Sequence, residues 1–379
     1  MKFILHIGTH KTGTSSIQNF CARNQAFLKA NGVSYDFDEA LSAGNANFLG
    51  AYLVKGRHRE IQRFIQRGIE KANRARLDRI LLSGESLFGM TTSFPEFGAM
   101  NNGTYWDSER RHIEDLRQML SNHDVTVVCY LRRQDRFLES LYSQMVMSEG
   151  GFAGPIDEFA GRATCMLDYY RHLEAWADCF GDAALRVRVF ERAKNTVPDF
   201  MKCALWITQL PAMSRSDIRV NTRVARDLLE FKREVNTVEM GRVECFFATK
   251  ALTEIGASFS QDNYDILTLE RRKALLENVD ASNSALARRW MGASEAPFPA
   301  LNSQAEDRFA YPGLTHERRE LIRSQFDRFM ARPSTRFEIR TRNLLRAFEG
   351  RFPVGKPLVD AIRRLAYRRQ LVRESRAQN

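Results

Sequence analysis

Lys2-Phe3-Ile4-Leu5-His6-Ile7-Gly8-Thr9-His10-Lys11-Thr12-Gly13-Thr14-Ser15-Ser16 is the stretch that decides the fold. Lys2 to Ile7 is a short apolar run rich in β-formers and bounded by Gly8, which reads as a buried strand. Gly8 to Gly13 reads as a turn. From Thr14 the apolar positions fall at Ile17, Phe20, Cys21, Phe27 and Leu28. Those spacings of three, four and seven predict a helix, ended by Gly32 after a last turn that holds Lys29. The segment is therefore a strand, a glycine loop and a helix in immediate succession.

Further strands lie outward from it. Arg79 to Ser83 is a second apolar run, closed by Gly84-Glu85, and Val125 to Leu131 is a third. Leu185 to Phe190 alternates and reads as a fourth. The helix after Leu131 carries Phe137, Leu138, Leu141, Tyr142 and Met145 on one face. Strands alternating with helices predict an α/β fold of three layers, a parallel sheet with helices on both faces. In such sheets ligands bind beyond the carboxyl ends of the strands. After about residue 195 the pattern becomes mostly helical, with helices expected over Ala225–Val235, Leu269–Trp290, Leu314–Met330 and Lys356–Arg373. The polar, Pro-containing stretch Gly292–Pro312 reads as a linker.

Gly8-x-x-x-x-Gly13 has the glycine spacing of a Walker A loop, which turns backbone N–H groups and a helix N-terminus toward an anion. A nucleotide triphosphatase places Lys directly after the second glycine. Here that position is Thr14, and Lys11 sits inside the loop. The strand Val125–Leu131 runs into Arg132-Arg133 where an acidic residue for magnesium would be expected. The residues offer a phosphate cradle with a displaced lysine and little provision for a metal.

His6 to Ser16 resembles the 5′-phosphosulfate loop of sulfotransferases that use 3′-phosphoadenosine 5′-phosphosulfate (PAPS), whose usual core is K-T-G-T-[ST]. The family's second signature is an Arg after a central strand and a Ser eight residues on, which hold the 3′-phosphate. Arg132 and Ser140, within Tyr130-Leu131-Arg132-Arg133-Gln134-Asp135-Arg136-Phe137-Leu138-Glu139-Ser140, have that spacing. The likeness continues more weakly through Asp168-Tyr169-Tyr170, the Val187–Glu191 strand end, Ser282-Asn283 and Leu286 to Trp290. Together these resemble bacterial carbohydrate-directed sulfotransferases over roughly residues 1–292. Residues 293–379 match no pattern. The R-x-G-x-x-G segment of cytosolic small-molecule enzymes is missing, which disfavours a drug- or steroid-type acceptor.

The resemblance implies a P-loop-type fold and a sulfotransferase domain over 1–292, with a PAPS-binding core at 1–195, a helical part at 196–292, and a linker and basic helical extension at 293–379. It implies PAPS as donor, adenosine 3′,5′-bisphosphate as product, no metal, and a hydroxyl or amine of a polysaccharide or glycolipid as acceptor. Thr12, Gly13, Thr14, Ser15 and Ser16 would hold the 5′-phosphate through backbone N–H groups and the hydroxyls of Thr14 and Ser15. Lys11 would stabilise the leaving oxygen, because a cation there binds the transition state more strongly than the ground state. Arg132 and Ser140 would hold the 3′-phosphate, with the neighbouring Arg133 as rival to Arg132 and Arg136 as a weaker contact. Glu85, at a strand end, is the expected general base, and His10 is its rival. His6 alternates into the strand and reads as a core histidine.

Composition limits the other readings. The chain has 379 residues, 44% of them hydrophobic, enough for one large domain with appendages or for two small domains. Six scattered cysteines form no C-x-x-C pair or zinc spacing, so buried free thiols are expected rather than a disulfide scaffold. No run has the length of a membrane span, and the N-terminal run is too short for a signal-peptide core, so a cytoplasmic protein is expected. The net charge is +11, but Thr335–Asn379 holds twelve Lys/Arg against four Asp/Glu, leaving +3 for the other 334 residues. Leu358, Ile362, Leu365 and Val372, ringed by Arg363, Arg364, Arg368, Arg369 and Arg373, suit peripheral contact with the inner face of an anionic membrane. They also suit an acidic polysaccharide, and packing on the body with the charges in water is the plainer reading. The high isoelectric point raises a nucleic-acid binder, but with the excess confined to the tail and no recognition motif, no nucleic-acid partner is expected. A small-molecule kinase is the alternative enzyme. Acceptor specificity is expected in Ser42–Gly56, in Thr91–Thr104 and in the helical C-terminal region; Phe88, Phe94, Phe97, Tyr105 and Trp106 follow Glu85 closely and suit either sugar stacking or core packing.

Overall fold

A computed structural model describes residues 1–36, 44–89, 103–148, 151–213, 224–256, 259, 264–294, 297–302 and 309–351. The elements in chain order are β1 (Lys2–Gly8), α1 (Thr14–Arg23), α2 (Gln25–Ala30), β2 (Val33–Ser34), α3 (Asn47–Val54), α4 (His58–Arg74), β3 (Arg79–Ser83), α5 (Gly103–Met119), β4 (Asp124–Leu131) and α6 (Gln134–Met147). They continue as α7 (Ile156–Arg162), α8 (Thr164–Leu167), α9 (Tyr169–Phe180), β5 (Leu185–Val189), α10 (Thr196–Leu205), α11 (Arg226–Asn236), α12 (Arg242–Gly256), α13 (Leu269–Met291), α14 (His316–Ala331) and α15 (Pro333–Arg351).

The five strands form one sheet in the order β2-β3-β1-β4-β5, every pairing parallel. β1 is central, and its residues alternate between two apolar layers. Phe3, Leu5 and Ile7 join Leu82, Val127 and Leu131 under α4, α5, α6 and α9, while Ile4 joins Leu81, Val128 and Tyr130 under α1, α2 and α10. Both faces of the central strands are covered, so β1, β3 and β4 are near-continuous apolar runs, while β5 at the edge alternates buried and exposed residues. The α/β reading holds, with a parallel sheet between helical layers and a helical region after it.

The predicted strands all form. The helix expected from Thr14 to Gly32 is divided at Asn24, whose backbone N–H and side-chain amide both donate to the Phe20 carbonyl and so close α1. Val33–Ser34 adds an edge strand too short to show periodicity. α15 was not foreseen; Pro333 opens it, where a missing N–H costs nothing.

Buried charge ties α13 to α6. The Arg133 guanidinium forks onto Asp135 at 2.7 and 2.9 Å, Arg272 of α13 shares the Asp135 Oδ2 at 2.7 Å and also donates to Glu139, and Gln134 exchanges hydrogen bonds with Asn283. Arg133 further reaches the carbonyls of Pro299 and Ala300, and Phe298 packs on Tyr169, so part of Gly292–Pro312 is held to the body. No helix among the described residues is long and apolar enough to cross a membrane. Lys356–Arg373, Phe94 and Phe97 lie outside the described residues.

Candidate active site

The loop after β1 lies between the carboxyl ends of β3 and β4, because β1 pairs with both. Gly8 turns the chain out of the sheet with φ 90°. A Cβ there would stand 3.1 Å from both Cα and Cβ of Glu85, so the glycine lets the loop and the end of β3 touch. The Thr9 N–H and hydroxyl both donate to the Tyr130 carbonyl of β4, at 2.9 and 3.0 Å. Thr12 donates its hydroxyl to the Thr9 carbonyl at 2.7 Å and Thr14 does so at 3.4 Å. Both threonines are buried, so their hydroxyls close the loop rather than face outward; Ser15 is exposed and Ser16 half-buried.

Lys11 has φ 63°, a left-handed conformation in which a non-glycine residue needs support from its surroundings. Part of that support is Arg132, whose guanidinium donates to the Lys11 carbonyl at 3.4 Å. Gly13, also left-handed at φ 78°, caps α1 without a side-chain bond, and the first turn of α1 has no acidic residue. Among the described residues, the N–H groups of Lys11 to Ser15 have no main-chain acceptor. Unpaired amides at the positive end of a ten-residue helix favour an anion.

The ionisable groups meet here. His10 Nδ1 is 3.7 Å from Glu85 Oε1. Burial would raise the Glu85 carboxyl, but the neighbouring His10 and Lys11 outweigh it and hold it below the usual carboxylate range. Burial lowers the Lys11 amine; Glu85 offsets part of that and Arg132 adds to it. His6 is fully buried, its Nδ1 2.9 Å from the Ser83 hydroxyl, and burial lowers it to about 4 despite Glu85. It is the core histidine that the strand alternation predicts.

Arg132 and Arg133 separate cleanly. Arg133 is 1% exposed and bound to Asp135, whereas Arg132 leaves β4 toward the loop, its carbonyl held by the Tyr169 hydroxyl at 2.8 Å. Ser140 is half-buried on α6, one turn beyond Arg136. The structure brings together Lys11, His10, Glu85 and Arg132. Sequence reasoning gave no role to Glu191, which accepts the Arg133 N–H at 3.1 Å and lies 3.9 Å from Arg132 Nε. It also missed Phe190 and Thr196, which wall the loop at Gly13. An acidic residue directly after a buried strand was the available signal for Glu191. Phe88 and Tyr105 are core residues around the buried His172–Glu109 pair, with Phe88 and His172 ring centres 4.4 Å apart. Among the described residues no cluster of His, Cys, Asp or Glu could hold a metal.

No family model and no solved structure matches the chain. Over 182 residues, 47% of its length, it is 29% identical to an uncharacterized protein of Archaeoglobus fulgidus. The match covers 49% of that protein, so the chain spans about half the length of the curated relative it matches.

Proposed function

We propose that the protein is a sulfotransferase that moves the sulfuryl group of PAPS to a hydroxyl or amine of a carbohydrate acceptor, a polysaccharide or glycolipid. The observation that carries this reading is the loop lysine. Lys11 is held left-handed within a cradle of unpaired amides, its charge within reach of Glu85 on one side and Arg132 on the other. A lysine inside the loop can reach the oxygen that bridges phosphorus and sulfur.

In this reading the 5′-phosphate rests on the amides of Thr12 to Ser15 and the exposed Ser15 hydroxyl, and the 3′-phosphate on Arg132 with Ser140. The acceptor oxygen attacks sulfur in line, the S–O bond to the nucleotide breaks, and its electron pair leaves as a phosphate oxygen beside Lys11. The acceptor's proton passes to Glu85, or to His10 next to it. Glu85 is ionised at neutral pH and free to accept a proton, but its lowered pKa makes it a weak base. A bound anion that draws on Lys11 weakens one of the charges that hold it down, and so raises its basicity. A cytoplasmic location, with peripheral membrane contact through Lys356–Arg373, belongs to the same reading.

The test is transfer of sulfur-35 from PAPS to a panel of glycans, without added metal, by wild type and Lys11→Ala. Label on a glycan with wild type alone supports the reading. Magnesium-dependent ATP turnover with no PAPS binding overturns it in favour of a kinase.

A further inference from the structure

The two site cations each face a carboxylate: Lys11 faces Glu85, and Arg132 faces Glu191. Their formal charges cancel, although the ligand proposed above carries several negative charges. Arg136, in the first turn of α6, acts on Arg132 electrostatically and adds a further cation beside it. The Arg132–Glu191 pair is unusual in itself. Glu191 is nearly buried, with 7% of its side chain exposed, against 25% for Arg132. Its Oε1 is committed to the Arg133 N–H at the start of α6. Arg132 Nε and Glu191 Oε2 are both buried, and neither has a hydrogen-bond partner among the described residues. At 3.9 Å the two side chains attract each other without making the hydrogen bond that each could make.

A buried donor left unmade is costly, and a ligand oxygen that accepts it removes that cost. A quarter of the Arg132 side chain is exposed beside the loop, so an anion can reach the guanidinium, and a small turn of it would bring the unmade Nε donor to the ligand. Glu191 cannot follow it, because the Arg133 N–H pins its carboxylate to the start of α6. An anion that takes Arg132 comes to rest close to a fixed negative charge.

We infer that Glu191 is a built-in counter-ion of the Arg132 phosphate site, which orients the arginine in the empty protein and weakens its hold on the bound phosphate so that the product nucleotide can leave. This rests on the nucleotide reading above and adds control of release to it. Release of product limits turnover in many enzymes, and a fixed carboxylate beside the phosphate shortens its residence. A unit charge within several ångströms, in a partly screened site, changes the affinity for a phosphate on the order of tenfold.

The experiment is calorimetry and stopped-flow dissociation on the full chain, comparing wild type with Glu191→Gln. The amide keeps an acceptor for the Arg133 N–H and removes the charge. For adenosine 3′,5′-bisphosphate the variant should bind about tenfold more tightly and release the ligand correspondingly more slowly. For adenosine 5′-phosphate, which lacks the group placed on Arg132, the two proteins should agree. A gain in affinity cannot come from a loosened fold. Equal or weaker bisphosphate binding by a variant with wild-type melting temperature overturns the inference and leaves Glu191 as a structural acceptor. If wild type binds no bisphosphate, the nucleotide reading fails, and inorganic pyrophosphate decides the counter-ion claim alone. Tighter pyrophosphate binding by Glu191→Gln upholds it, and equal binding, or none by either protein, overturns it.

Discussion

His6 should make stability depend on pH more steeply than an ordinary strand residue would. It is fully buried in β1, with Phe200 4.8 Å from its ring centre and the Ser83 hydroxyl on Nδ1. Burial lowers it from 6.5 to about 4. Between those values the unfolded chain holds a proton that the folded chain refuses, so stability rises with pH across the window and falls as pH drops through it. The difference of about 2.5 pKa units corresponds to about 3 kcal/mol between pH 7 and pH 4, a large part of an ordinary domain's stability. The assay is urea unfolding of wild type and His6→Asn at pH 7, 5.5 and 4.5. Asn keeps a polar atom near Nδ1 and cannot titrate. The variant should be less stable at pH 7, and the gap should close by about 2 kcal/mol by pH 4.5. Parallel curves for the two proteins would refute the assignment of a buried neutral His6.

Asp135→Asn removes the carboxylate shared by Arg133 and Arg272 and leaves two buried guanidinium groups without it, so it should cost roughly 3–5 kcal/mol in urea unfolding. Its pH effect has the opposite origin and the same sign. Burial would raise the Asp135 carboxyl, but Arg133 and Arg272 hold it below the usual range, so the stability it contributes is present above the unfolded value and is lost as pH falls through the folded one. Gly8→Ala should lose about 1–2 kcal/mol to its positive φ alone and should push Glu85 out of place, which circular dichroism melting and PAPS turnover would each register. Glu85→Gln should lower turnover by about 10²–10⁴ while leaving the bisphosphate affinity equal or higher, a separation that a folding defect would not produce.

Much of this arrangement is legible in the sequence for a physical reason. Strands of a parallel sheet covered on both faces are short apolar runs, so Phe3–Ile7, Ile80–Leu82 and Val125–Leu131 stand out without any alignment. Glycines at 8 and 13 mark the two ends of the loop because the backbone there needs positive φ. Lys11, Glu85 and Arg132 follow as residues at or just past strand ends that a parallel sheet brings to one edge. The choice between Arg132 and Arg133 was not legible, because it depends on Asp135 and Arg272, the latter 137 positions from Asp135 in the chain. The inward turn of the Thr12 and Thr14 hydroxyls was hidden too, since both threonines answer to the Thr9 carbonyl, and that backbone position depends on the whole loop. Glu191 and Thr196 reach the site only through the placement of β5 beside β4.

The central claim is that the loop of β1 and the end of β4 form one nucleotide site, and calorimetry with adenosine 3′,5′-bisphosphate on wild type, Arg132→Ala and Lys11→Ala tests it most directly. Micromolar or tighter binding by wild type, weakened more than about tenfold in Arg132→Ala, is the expected result, since tenfold is about 1.4 kcal/mol and a charge-assisted hydrogen bond contributes at least that. Folded wild type that does not bind the bisphosphate, or binds it equally well without Arg132, would contradict the claim.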